Sequence, residues 1–138
     1  MSYTATGEKL KSYLMNIGER NIYLDYPIAL TLESFRNLLG ANNLVWLIYR
    51  DVVEEQFLAH QKNRLVEHWS IRAIAPYRAN IYSALQSKVD SLFGELRKEP
   101  YWEGCRVQEG WNCAFRSEDI NEVLCIIAEI SIKVEVFV

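Results

Sequence analysis

The stretch VLCIIAEISIKVEVFV, residues 123–138, decides how the end of the chain is built. Every even position in it is apolar: Leu124, Ile126, Ala128, Ile130, Ile132, Val134, Val136 and Val138. No turn residue interrupts them. A strand keeps that whole set on one face, because side chains alternate with period two; a helix scatters it around the axis. The competing reading is a capped helix over 117–127 followed by a shorter strand. The unbroken alternation favours one long strand over 123–137.

Working outward, the period stays at two just upstream. Cys105 and Val107 alternate with Arg106 and Gln108, and Trp111, Cys113 and Phe115 alternate with Asn112, Ala114 and Arg116. Glu109 and Gly110 between them suit a tight turn, so this segment reads as a hairpin. With 123–137 it makes a three-stranded antiparallel meander.

Further upstream the spacing becomes helical. Tyr77, Ile81, Leu85, Val89, Leu92 and Leu96 recur at steps of three and four, with Tyr82 and Phe93 widening the stripe and Pro100 ending it. Leu65, Val66, Trp69 and Ala73 suggest a helix over 62–75, broken or kinked at Pro76. Trp46, Tyr49, Val53 and Phe57, flanked by Val45, Ile48 and Val52, suggest a central buried helix over 43–57, with a strand at 44–49 as the lesser alternative. Thr31, Glu33 and Gly40 are start and stop signals for a short helix over 31–39. Leu10, Tyr13, Leu14 and Ile17 mark a first helix over 6–17 that Gly18 stops, and 22–26 reads as extended. The fold class expected is α+β: four to five helices followed by a C-terminal three-stranded antiparallel β-meander. One domain spans 1–138, with its helical part at about 6–98 and its meander at about 103–138.

Composition supports one packed unit. Half of the 138 residues are hydrophobic, enough for a core without staples. No uncharged apolar run approaches the roughly 18 residues of a membrane helix, and the first residues lack a secretory pattern, so a cytoplasmic location is expected. Cys105, Cys113 and Cys125 are odd in number and lack CxxC spacing, which suits reduced thiols. Net charge is −3, unevenly spread. Residues 61–98 carry seven basic and three acidic side chains; residues 99–138 carry three basic and eight acidic.

The chemistry-bearing residues form no catalytic signature. His60 and His68 are eight apart, about 12 Å along a helix, too far to share an ion. No nucleophile elbow and no glycine-rich phosphate loop occurs. No cofactor and no metal site is expected. Asp51, Glu54 and Glu55, like Glu118, Asp119 and Glu122, read as solvated surface acids. Arg64, His68, Arg72 and Arg78 form a basic set that would suit a ligand or phosphate, in a pocket between helices and sheet shared with Tyr82, or a nucleic-acid backbone. The acidic pI of about 5.4 argues against nucleic acid. Tyr101, Trp102 and Trp111, clustered with Glu103 and Glu109, have the composition of a protein interface. The function expected is therefore a non-catalytic protein-binding module of inhibitor, immunity or adaptor type. The partner expected is another protein, with a homodimer through the strand 123–137 as a further route and no membrane partner.

Overall fold

The computed structural model describes residues 3–24, 44–57, 63–120 and 122–137. Among them are two helices and a curled, mixed seven-stranded sheet. Helix α1 spans Tyr3–Asn16 and helix α2 spans Ile81–Lys98. The strands are β1 (Ile22–Leu24), β2 (Val45–Phe57), β3 (Asn63–Pro76), β4 (Tyr101–Trp102), β5 (Cys105–Val107), β6 (Asn112–Ile120) and β7 (Val123–Phe137).

This overturns the expected four to five helices with a three-stranded meander. The two expected helices over 43–57 and 62–75 are the long antiparallel pair β2 and β3, in register from Val45↔Ile74 to Phe57↔Asn63. The expected short helix over 31–39 and His60 lie outside the described residues. The helices over 6–17 and 77–96 are present as α1 and α2, and the extended piece at 22–26 contains β1, which runs parallel to β2.

β7 is the long strand its alternation predicts, but it does not close a meander. It is the spine of the sheet. One side pairs with β3 from Arg64↔Phe137 to Pro76↔Cys125. The other side carries β6 along Val123–Ser131 and β5 along Val134–Val136, placed end to end. β5 and β6 therefore do not pair with each other as a hairpin. The loop joining them crosses Lys133, whose carbonyl accepts the Gln108 N–H at 2.8 Å, and Gly110 turns there with φ 92.

The helices fill the concave side of this sheet. Leu10, Tyr13 and Leu14 of α1 and Ile81, Leu85, Val89, Leu92 and Leu96 of α2 are buried against Trp46, Ile48, Trp69, Ile71 and the even residues Ile126–Val136 of β7. Burying each such side chain is worth about 1.5–3 kcal/mol. α1 approaches closely because position 7 is glycine: a Cβ there would stand 3.3 Å from both methyls of Leu24. Glu19, in the turn leaving α1, accepts the Trp46 indole N–H at 3.1 Å and pairs with Lys88, so one carboxylate ties α1 to β2 and α2. A second, smaller cluster of Val45, Ile74, Cys125 and Ile127 lies on the opposite face of the sheet.

Among the described residues, no helix is long and apolar enough to cross a membrane.

Candidate functional site

The convex face of the sheet carries a set of cross-strand polar pairs. Its layout depends on an irregularity in β2. Arg50 stands opposite Trp69, but Val52 stands opposite His68, so Asp51 is an extra residue. Such a bulge re-aims the strand. Before it, Trp46, Ile48 and Arg50 face the helices. After it, Val53 does, and Val52 and Glu54 turn to the convex side.

Three carboxylates then find partners across the strands. Glu54 Oε1 lies 3.1 Å from His68 Nε2. Asp51 accepts the Ser70 hydroxyl. Glu129 of β7 receives Arg72 Nε at 3.3 Å and Arg116 Nη1 at 2.5 Å, and Arg72 lies 5.3 Å from the Tyr49 ring centroid. Burial pushes the Glu129 carboxyl up, but the Arg116 hydrogen bond and the charges of Arg72 and Arg116 outweigh it and hold the group below its ordinary value. Further along, buried Glu135 accepts from Arg106 and Gln108.

Between the β2 bulge and the loop from β5 to β6 lies a cleft of about 260 Å³. Its walls include Asp51, Val52, Gln108 and Asn112, and His68, Ser131 and Lys133 lie along its floor. The space between helices and sheet, where a pocket was expected, is occupied by core side chains.

The basic set does not assemble. His68 lines the cleft, Arg72 is taken up by Glu129 and Tyr49, and Arg78 lies near Lys88 at the start of α2, in a separate cleft of about 310 Å³. Tyr82 packs on Phe115 with ring centroids 6.3 Å apart. Arg64 takes its place in β3 opposite Phe137, and its side chain lies outside what the structure describes.

In the aromatic set, Tyr101 and Trp102 point to opposite sides of β4, and Trp111 stands just ahead of β6. Trp102 turns inward, edge-on to Tyr13 at 6.3 Å. Trp111 packs on Phe93 at 5.6 Å with Arg97 5.7 Å from its ring. Both cover the ends of the core. Tyr101 turns outward and is 63 % exposed. Glu103 and Glu109 are exposed in turns, Glu103 with φ 28. Sequence reasoning missed Val52 and Phe137 as members of this face, because only the register of β2, β3 and β7 brings them together.

No protein-family model matches the chain, and a comparison with curated proteins finds no match.

Proposed function

We propose that this protein is a non-catalytic protein-binding module whose contact surface is the convex sheet face from the cleft to β4. The observation that carries this reading is the placement of Tyr101, Phe137 and Val52 on one face. They are 63 %, 52 % and 50 % exposed. Tyr101 pairs with Arg106, Arg106 with Glu135, and Val52 with His68, which pairs with Lys133. Directly paired residues share a face, and Phe137, Glu135 and Lys133 are two apart on one strand. The three apolar groups thus stand among the pairs Arg106–Glu135 and His68–Glu54. Exposed aromatic anchors among polar neighbours are what a protein partner desolvates.

The mechanism this implies is docking on a rigid platform. The polar groups are already held by cross-strand partners, so little side-chain freedom remains to be lost on binding. Affinity capture from an extract of the source cells, beside Tyr101→Ser and Val52→Ser variants with unchanged melting, tests it. A stoichiometric partner held by the parent and lost by both variants supports the reading. A partner held equally by all three places the contact elsewhere. An anchor of this kind is worth about 2 kcal/mol, or roughly thirtyfold in Kd.

A further inference from the structure

In the seven-residue segment 114–120, AFRSEDI, Arg116 and Glu118 flank Ser117 symmetrically, so opposite charges meet when it is laid antiparallel on a second copy of itself, and among the described residues it lies on an unpaired sheet edge. β6 pairs with β7 from Asn112↔Ser131 to Ile120↔Val123 without a register shift. Among the described residues its other edge has no strand beside it. Asn112, Ala114, Arg116, Ser117, Glu118 and Asp119 are all exposed.

Open edges are normally protected by a proline, a bulge or charged side chains. The outer edge of β2 has two of these beyond its pairing with β1: the bulge between Arg50 and Val52, and the acids Asp51 and Glu54. β6 has neither a proline nor a bulge, and its charges, Arg116, Glu118 and Asp119, are of both signs, so they can be matched by a second copy. Self-pairing over 123–137, as expected from sequence, needs a free edge on β7, and β7 is bonded to β3 on one side and to β5 and β6 on the other. The edge that remains for a second copy is one strand further out.

We infer that the chain forms a two-fold dimer through β6, with Ser117 of one copy opposite Ser117 of the other. A two-fold axis perpendicular to the sheet keeps paired residues on the same face. Centred on Ser117, it sets Arg116 of each copy opposite Glu118 of the other, twice, with Ala114 opposite Ile120 and Phe115 opposite Asp119. Centred on Arg116 or on Glu118 it opposes like charges, which disfavours pairing. Centred on Phe115 it sets Arg116 opposite Ala114 and forgoes both ion pairs. Glu118 is available for this role: its side chain is 51 % exposed, at 3.4 Å from Arg116 within its own strand. The dimer joins two seven-stranded sheets into one and sets two convex faces side by side. It does not depend on the binding role proposed for that face, and it is an isologous contact that closes without propagating.

Sedimentation equilibrium of the full chain from 1 to 100 µM tests the dimer, and cysteine cross-linking tests the register. The expected species has twice the 16.1 kDa chain mass. Arg116→Glu and Glu118→Arg each put like charges across the axis and weaken the dimer about tenfold or more, and the double exchange restores it to within a few-fold of the parent. Ser117→Cys cross-links under mild oxidation, because directly opposed Cα atoms in an antiparallel pair stand about 4.5–5.5 Å apart, within disulfide reach. Ala114→Cys does not, and the parent chain gives the background of the native thiols. Monomer alone at 100 µM overturns the inference. So does a dimer that ignores both charge reversals, or one that cross-links through Phe115→Cys and not through Ser117→Cys.

Discussion

Glu67 and Trp69, two apart on β3, are joined side chain to side chain inside the protein: the Trp69 indole N–H donates to Glu67 Oε1 at 3.0 Å. Arg50 Nη1 donates to the other carboxylate oxygen, also at 3.0 Å. Glu67 is a buried acid held by one neutral and one charged donor. Such a carboxylate is costly to strand and much cheaper to neutralise.

The order of stability that follows is parent, then Glu67→Gln, then Arg50→Met. Glu67→Gln keeps an acceptor for Trp69 and costs about 1–2 kcal/mol. Arg50→Met leaves the buried carboxylate without its cation and costs about 3–5 kcal/mol. Combining the two recovers part of the Arg50→Met loss, since the charge that needed the partner has gone. Urea unfolding of the four proteins checks the order. Equal costs for the two single variants would show that a Glu67 carboxylate left without Arg50 is no worse than a neutral amide in its place.

Glu129 sets a dependence on acid. Its pKa is held below the ordinary 4.5 despite burial, chiefly by Arg116 and Arg72. A depressed folded-state pKa contributes stability that is present above the unfolded value and lost as pH falls through the folded one. Arg116→Gln removes the strongest of these contacts. The variant should therefore lose less stability than the parent between pH 4.5 and the acid limit, while starting lower at pH 7. Thermal melts at pH 7 and at several points below 4.5 read this directly. Parallel curves for the two proteins would rule out the coupling.

The mistaken helices have a physical cause. Leu65, Trp69 and Ala73 are four apart, which is close to one helical turn and also two steps of a strand. Such positions share a face in either structure. In α2 the buried series Ile81, Leu85, Val89, Leu92, Leu96 contains one step of three, from Val89 to Leu92. An odd step changes faces in a strand, so only a helix keeps that series together. β2 contains an apparent odd interval for another reason: Trp46 and Val53 are seven apart, and the bulge at Asp51 returns them to the same side. In its first half Val45 and Ile48 are buried on opposite faces, which erases the alternation. β7 was legible because its convex face is polar from Glu129 to Glu135. Tyr101, Trp102 and Trp111 carry the same signal in sequence; β4 turns Tyr101 outward and Trp102 inward, and Trp111 packs on Phe93 just ahead of β6. The pairing of Glu54 with His68 needs the hairpin register, which no local pattern carries.

The thiols should be slow to react. Burial pushes both Cys113 and Cys125 up to about 11, Cys125 with added repulsion from Asp119 and Glu118, and it raises Cys105 as well. At pH 8 a thiol of that pKa is about 0.1 % thiolate, and the thiolate is the reacting form. Labelling with a chromogenic disulfide reagent at pH 8 should release less than one equivalent in the time that 8 M urea releases three. A single fast equivalent in the native protein would identify an activated cysteine and reopen a chemical role for it.

Position 7 tests how closely α1 rests on the sheet. Replacing glycine by alanine inside a helix gains about 1 kcal/mol in propensity. Against this, the new methyl stands 3.3 Å from both Leu24 methyls and 3.5 Å from Trp69 Cη2. The Leu24 methyls end a flexible side chain and can move by a few tenths of an ångström; the Trp69 ring is pinned through its indole bond to Glu67. The two effects nearly cancel, so Gly7→Ala should change stability by less than about 1 kcal/mol. Gly7→Leu has no such compensation, because its further atoms enter the space held by Trp69, and overpacking of this kind costs about 1–3 kcal/mol. Chemical unfolding of both variants separates the cases. A Gly7→Leu protein as stable as the parent would mean that α1 can lift from the sheet without loss.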